Sequence, residues 1–220
     1  LLESALRRKQ SDPSLLKELA QLKLARQDWI GAEDVAKQLR DVQGGGQVAD
    51  LISAQSLAGQ DQKAKSIEVL ENLYQEGGGS GSSMAALVSS YVRSGQGERA
   101  RAFLEKILAE TPDNLTALQL KGAMHAALGE KVAAEKAYRA VLDAAPKAPA
   151  AYSALVQFLI AEQRFDDALD VARKGVDATG VAALQLSYAL LLQRRGDIEE
   201  AIKVYETLYE ARPDSYVTAN

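Results

Sequence analysis

Residues 95–104 read Gly-Gln-Gly-Glu-Arg-Ala-Arg-Ala-Phe-Leu, and residues 129–138 read Gly-Glu-Lys-Val-Ala-Ala-Glu-Lys-Ala-Tyr. The two stretches share a glycine at the first position, an alanine at the sixth and a large apolar residue at the tenth. They begin 34 residues apart, and Pro112 and Pro146 are separated by the same step. A third copy begins at Gly196. A fixed period of this length predicts a row of similar small units.

The 34-residue register divides nearly the whole chain. It places six units at 13–46, 47–80, 81–114, 115–148, 149–181 (one residue short) and 182–215. Residues 1–12 carry the apolar pattern of a second helix from a preceding unit, and residues 216–220 begin a further first helix. We therefore expect an array that is cut at both ends, with exposed apolar ends that allow self-association.

Two positions of each unit hold small residues, which leave room for two helices to approach closely. A bulky side chain there would separate helices whose axes lie about 8–10 Å apart. The eighth position holds Ala20, Ala54, Val88, Gly122, Val156 and Ala189. The twentieth position holds Ala32, Ser66, Ala100, Ala134, Ala168 and Ala201. Position 32 holds only residues that end helices, namely Gly44, Gly78, Pro112, Pro146, Gly180 and Pro213.

The composition excludes several classes of function. The 220 residues include 26 basic and 30 acidic ones, so no broad positive field attracts a phosphate backbone, and nucleic acid is not an expected partner. The absence of cysteine and the presence of one histidine disfavour an enzyme, and we expect no cofactor, no metal and no catalytic residue. No run approaches the roughly 18–20 apolar residues that span a bilayer, so no transmembrane segment is expected in this chain.

A 34-residue unit with small, alanine, aromatic and proline positions in this order resembles the tetratricopeptide repeat (TPR). The resemblance implies an all-α fold, a right-handed solenoid of antiparallel helix pairs whose first helices line a concave groove. It implies a non-catalytic scaffold that binds a peptide or partner segment in this groove and assembles a larger bacterial complex. The first two units match the family pattern worst.

The resemblance also implies which residues face the groove. Carried over position by position, the candidates are Gln21, Gln55, Ser89, Arg93, Gln119, Ala123, Ser153, Gln157, Ile160, Leu186, Leu190, Gln193 and Arg194. Glutamine amides can bond the backbone of an extended segment, and the two arginines can contact carboxylates; alternatively, the glutamines form a solvated helix face. The basic clamp with which some TPR adaptors hold chaperone C-termini is absent, since Ala85 and Ser89 occupy its first two positions.

Three other features of the sequence have structural interpretations. The glycine-rich stretches at 44–46 and 77–83 are expected in turns between units, as loose connections or a hinge, and the second stretch also looks like a cloning linker. They lack the context of a phosphate-binding loop. His125 is expected to be a packing residue on a first helix. The acidic pairs Glu33-Asp34, Asp166-Asp167 and Glu199-Glu200 are expected to start second helices, where they complement the helix dipole.

A narrower resemblance concerns the turns, such as Arg194-Arg195-Gly196-Asp197. They look like those of bacterial TPR lipoproteins in exopolysaccharide and PEP-CTERM systems, which favours the periplasm or cell envelope over the cytoplasm. The alternative is that the array recruits substrate for a larger enzyme, such as a glycosyltransferase.

Overall fold

The structure, a computed structural model, describes residues 12–211. Within that range it contains twelve α-helices and no strand, so the all-α prediction is confirmed. The helices are α1 (Pro13–Ala25), α2 (Trp29–Arg40), α3 (Gly46–Gly59), α4 (Lys63–Glu76), α5 (Gly81–Arg93), α6 (Gly97–Glu110), α7 (Leu115–Ala127), α8 (Lys131–Ala144), α9 (Pro149–Ala161), α10 (Phe165–Thr179), α11 (Ala182–Arg195) and α12 (Ile198–Ala211). Odd-numbered helices are hereafter the first helices, and even-numbered ones the second helices. The boundaries of the six repeats stay a prediction, and its parts on residues 1–11 and 212–220 lie outside the described residues.

The chain divides into two compact parts, an N-terminal half (Leu1–Glu105) and a C-terminal half (Lys106–Asn220). In the N-terminal half, α1 packs on α2, α2 on α3, α3 on α4 and α4 on α5. In the C-terminal half, the same holds from α7 to α12. First helices also touch one another directly, α1 with α3, α7 with α9 and α9 with α11. Within each half, neighbouring first helices therefore form a shared surface.

The small residues at the two crossing positions are all buried, as predicted. Gly122 marks a close crossing, because a Cβ atom there would lie 2.8 Å from the ring of Tyr138. Ser66 is the one polar residue of the twelve, and its hydroxyl donates to the carbonyl oxygen of Ala54 at 2.7 Å. This hydrogen bond joins the two crossing positions of one helix pair and leaves no unsatisfied hydroxyl in the core.

Each helix pair is joined by the same turn. Its central residue has a positive φ in all six pairs, at Gln27 (59°), Asp61 (60°), Gly95 (74°), Gly129 (76°), Gln163 (61°) and Gly196 (96°). The next residue donates its N–H to the carbonyl five positions earlier, at 2.8–3.0 Å, which is the hydrogen bond of a Schellman motif. Glycine adopts this conformation freely, whereas other residues do so at a cost of about 1–2 kcal/mol.

The glycine-rich stretches do not lie wholly in turns, so that part of the prediction is wrong. Gly44 and Gly78 have positive φ values of 80° and 70° and lie between helices. Gly46, however, is the first residue of α3, and Gly81 is the first residue of α5. The hydroxyl of Ser80 accepts a hydrogen bond from the Ser83 N–H at 3.2 Å and so caps α5. Because a cap satisfies the free N–H groups of a first turn, the helix can begin within the glycine-rich stretch.

The acidic pairs follow the prediction at two of three places. Asp166-Asp167 and Glu199-Glu200 lie in the first turns of α10 and α12. Glu33-Asp34 lies deeper in α2, which starts at Trp29, so the prediction is wrong there. Asp28 caps α2 instead, accepting from the Gly31 N–H at 3.0 Å. Glu33 is used for packing, because its carboxylate accepts a hydrogen bond from the Ser53 hydroxyl of α3 at 3.2 Å.

His125 is a packing residue, as predicted. It is 4% exposed. Its Nδ1 lies 2.5 Å from a carboxylate oxygen of Glu130 in the turn that follows α7. The imidazole therefore ties the end of α7 to its own turn.

Glu135 links α8 to the start of α10 in the C-terminal half. It lies on α8, where its carboxylate accepts a hydrogen bond from Arg139 at 2.7 Å. It also pairs with Arg164, which immediately precedes α10. The hydrogen bond from Arg164, helped by the one from Arg139, lowers the pKa of Glu135 below its ordinary value of 4.5. Ionised Glu135 thus stabilises the packing of α8 near the start of α10.

Replacing Glu135 with glutamine is expected to reduce the loss of stability in acid. Because the folded-state pKa is lowered, the ionised carboxylate contributes fully above the unfolded pKa near 4.5. Its contribution is lost as the pH falls through the lower, folded-state pKa. Urea midpoints measured from neutral pH into that range should therefore fall more steeply for wild type than for Glu135→Gln. Glu206→Gln, at an exposed position of α12, is the control and should keep the wild-type slope.

Candidate functional site

The thirteen residues predicted to face the groove all lie on first helices. Eleven of them are exposed, and Gln119 and Ser153 are half-buried. The structure therefore places every predicted residue where a partner can reach it. Their role in binding stays a prediction.

The exposed face of each first helix follows from its sequence. In α5, Leu87, Val88 and Tyr91 are buried against neighbouring helices. Ser89 and Arg93, four residues apart, lie on the opposite side and are exposed. Residues four apart share one face of an α-helix, so the two side chains form one row along α5.

A pocket in the N-terminal half brings three of the predicted residues together. Gln55 of α3 lies on one wall, and Ser89 and Arg93 of α5 lie on the other. The pocket has a volume of about 90 Å³. Small-molecule and cofactor sites typically occupy roughly 300–1,000 Å³. The space is therefore suited to one side chain of a bound segment and too small for a cofactor.

The pocket has an apolar floor and a polar rim. Ala54, Ser66 and Leu70 line its base and are buried, and the Ser66 hydroxyl is already bonded to the Ala54 carbonyl. Ala58 and Ala86 also line the pocket, and their short side chains leave it open. Arg93 is the only charged residue in the lining, and no carboxylate within residues 12–211 pairs with it. The pocket can thus accept an apolar side chain and offer a guanidinium to a nearby carboxylate.

A hydrogen-bonded network holds the helices around this pocket. The hydroxyl of Tyr91, on α5, donates to the carboxylate of Glu71, on α4. Arg99 of α6 pairs with the same carboxylate at 2.5 Å, and its guanidinium lies 4.7 Å from the centre of the Tyr91 ring. Burial, followed by the hydrogen bond to Glu71, raises the pKa of Tyr91 to about 12, so the phenol remains a donor at neutral pH. This network could not be predicted from the sequence, because Tyr91 and Arg99 are 20 and 28 residues away from Glu71.

The first helices of the C-terminal half carry a more apolar exposed surface. Ile160 of α9 and Leu186 and Leu190 of α11 are 38%, 45% and 53% exposed. Arg194 stacks over the ring of Phe165, with 3.6 Å between the guanidinium carbon and the ring centre. This cation–π contact orders the arginine side chain and was not predicted, since it joins two helices.

The pocket lining offers apolar contacts and hydrogen-bonding groups to a ligand. The pocket lining contains three serine hydroxyls but no histidine or carboxylate that could act as a general base. Within residues 12–211, no three histidine or acidic residues are grouped to hold a metal ion. None of the helices in that range has the length and apolar character needed to cross a bilayer.

The sequence matches the model of a tetratricopeptide repeat family, TPR_16, at residues 85–149, 129–183 and 153–216. Together these matches span more than half of the chain. They begin after the first two predicted repeats, in which polar residues such as Lys23 and Asp50 occupy normally apolar positions. No curated protein matches the sequence.

Solved structures share the fold at low sequence identity. A tetratricopeptide repeat protein from Parabacteroides merdae is 13% identical, with a TM-score of 0.54, over 95% of this chain and 83% of that one. A thermophilic TPR protein from Thermus thermophilus is 14% identical, with a TM-score of 0.50, over 77% of this chain and 93% of that one. At these identities the likeness shows the fold alone.

Proposed function

The chain belongs to the tetratricopeptide repeat family, and from that premise we propose that it is a non-catalytic scaffold that binds a segment of another protein on its first helices. The observation that carries the proposal is the pocket between α3 and α5, which gathers Gln55, Ser89 and Arg93 over an apolar floor. It combines the features of a peptide subsite: a small volume, an uncharged base and a polar rim that includes an arginine.

The binding mechanism follows from the chemistry of the lining. A short apolar side chain of the bound segment fills the space above Ala54 and Leu70 and is removed from water there. The amide of Gln55 can both donate to and accept from the backbone of the segment. Arg93 then favours a segment with a carboxylate near the apolar residue.

The proposal stays at the level of a protein partner. None of the matches supports the narrower resemblance to exopolysaccharide and PEP-CTERM lipoproteins, so no pathway and no compartment is proposed from it. No described residue favours the alternative of a recruiting segment within a larger enzyme, which would use the same surface.

Removing the polar rim of the pocket is expected to weaken peptide binding. Peptides are first selected on the immobilised chain from a random library displayed on phage. For a selected peptide, the double variant Gln55→Ala/Arg93→Ala should raise the Kd by about tenfold or more, because it removes one amide and one charged contact. Fluorescence anisotropy with the labelled peptide measures the change.

A matched control lies on a second helix of the same half. Lys63 and Gln75 are exposed residues of α4, and neither lines the pocket. The variant Lys63→Ala/Gln75→Ala should bind like wild type. Both double variants should melt like wild type, since exposed substitutions usually change stability by less than about 0.5 kcal/mol each. The proposal would be contradicted if the selection yields no peptide. It would also be contradicted if the selected peptides bind the variant Gln55→Ala/Arg93→Ala with the wild-type Kd.

A further inference from the structure

Charge is distributed unevenly between the first and second helices of the C-terminal half. The first helices α7, α9 and α11 contain no aspartate or glutamate, and α9 contains no charged residue at all. The second helices α8, α10 and α12 together contain ten acidic residues. The chain as a whole has a net charge of −4, so this separation does not follow from composition. A segment that binds the first helices here meets no carboxylates on them.

The exposed faces of α9 and α11 carry large apolar residues, and we call the surface that these two faces form the α9–α11 strip. It consists of Gln157 and Ile160 on α9 and Leu186, Leu190 and Arg194 on α11, two helices that pack against each other. The opposite faces of both helices already supply the core, with Leu155, Leu159, Leu184 and Leu192 fully buried. An exposed apolar patch with polar neighbours is typical of an interaction site.

Arg194 gives the strip a fixed charge at one end. Leu186, Leu190 and Arg194 follow one another at four-residue intervals, so they form a row of about 12 Å along α11. The contact with Phe165 uses the face of the guanidinium and leaves its in-plane N–H groups free. No carboxylate in residues 12–211 pairs with Arg194, whereas the neighbouring Arg195 is paired with Asp197. Arg194 is therefore an ordered cation available to a ligand.

We propose that the α9–α11 strip binds an amphipathic acidic segment of a protein partner. The proposal rests on the proposed function and extends it to a second surface with its own chemistry. Large apolar side chains of the partner pack on Ile160, Leu186 and Leu190, and an aspartate or glutamate one turn further along pairs with Arg194. A basic segment lacks this pair and is repelled by the same guanidinium. An anionic membrane is a weaker fit, because surface-binding proteins present clusters of about 4–8 basic residues.

The experiment compares two synthetic peptides of about 16 residues, or roughly four and a half helical turns. The acidic peptide has leucines along one helical face and glutamates elsewhere, and the basic peptide has a lysine in place of each glutamate. Wild-type chain should bind the labelled acidic peptide at least about tenfold more tightly than the basic one. Leu186→Ser/Leu190→Ser should weaken binding of the acidic peptide by more than about tenfold, because the packing surface is lost.

Two further variants separate charge from packing and from general effects. Arg194→Gln should weaken binding of the acidic peptide by about five- to tenfold and leave the basic peptide unchanged, which removes most of the preference. Ile202→Ser is the matched control, because Ile202 lies on the second helix α12 and is 45% exposed, as Leu186 is. It should bind both peptides within about twofold of wild type. Melting temperatures of all variants establish that each one is folded.

The remaining outcomes decide among occupants of the strip. Equal effects of the Leu186/Leu190 variant and the Ile202 variant would overturn the proposal. So would a wild-type dimer in light scattering that the Leu186/Leu190 variant abolishes, since the occupant would then be a second copy. Stronger binding to phosphatidylglycerol vesicles than to the acidic peptide would assign the strip to membranes. A peptide selected for the Gln55–Arg93 pocket should bind all of these variants with the wild-type Kd. This result is expected even if the strip binds nothing, so the two proposals can fail independently.

Discussion

Truncation of Leu192 to alanine is expected to lower the free energy of unfolding by about 2–5 kcal/mol. Leu192 is 0% exposed and lies in the core cluster of the C-terminal half, together with Leu155, Leu159 and Leu184. The neighbouring helices are held by their own contacts and can close only part of the cavity, so both transfer free energy and packing contacts are lost. Urea denaturation followed by far-UV circular dichroism measures the change.

The two preceding residues are matched controls for this truncation. Leu190 and Leu191 have the same side chain on the same turn of α11 and are 53% and 5% exposed. Leu190→Ala should change the free energy of unfolding by less than about 0.5 kcal/mol, and Leu191→Ala should lose nearly as much as Leu192→Ala. Equal losses at Leu190 and Leu192 would mean that α11 is rotated about its axis from the orientation described. Leu190→Ala also separates the stability of α11 from binding by the α9–α11 strip.

Replacing Gly122 with leucine is expected to destabilise the chain by about 1–3 kcal/mol or more. Gly122 occupies the eighth position of its repeat, where α7 crosses α8. A Cβ atom there would lie 2.8 Å from the Tyr138 ring, which is itself largely buried in the core cluster of this half. A leucine must therefore displace the ring or separate the two helices. The shift of the urea midpoint gives the magnitude.

The neighbouring residue isolates the steric cause of this loss. Ala123 lies next to Gly122 on α7 but is exposed, so Ala123→Leu should leave stability nearly unchanged. The direction in which Gly122→Ala changes the free energy of unfolding is a second check. At an exposed helix position this change stabilises by about 1 kcal/mol, whereas contact with Tyr138 should reverse the effect here. A stabilised Gly122→Ala variant would contradict the close crossing of α7 and α8.

The sequence predicted the features that depend on local spacing. The 34-residue period and its small residues predicted helical hairpins with buried crossings, and the twelve helices and the burial of Ala20, Ala134 and their equivalents confirm them. The same register placed Gln55, Ser89 and Arg93 on exposed faces of first helices. Both results follow because the period of an α-helix fixes which side each residue faces once the register is known.

Features that depend on the gap between helices were not predictable. The pocket exists because Ala54, Ala58 and Ala86 are small on two facing helices, and no pattern within one repeat reveals that match. Arg194 and Phe165 likewise meet across α11 and α10 through their individual rotamers. The misplaced Glu33-Asp34 pair has a simpler cause, because Asp28 is a strong capping residue and starts α2 earlier than the acidic pair indicated.

The turns that join each helix pair have a consequence for engineering and for sequence drift. Gln27, Asp61 and Gln163 occupy a left-handed backbone conformation that three equivalent turns fill with glycine. Replacing any one of the three with glycine should therefore increase the free energy of unfolding. None of these turn residues is among the proposed ligand contacts. Substituting them should therefore raise the melting temperature and leave the choice of partner unchanged. In nature, a change to glycine at one of these turns would offset the cost of destabilising substitutions on the first helices, and so allow new side chains and new partners there.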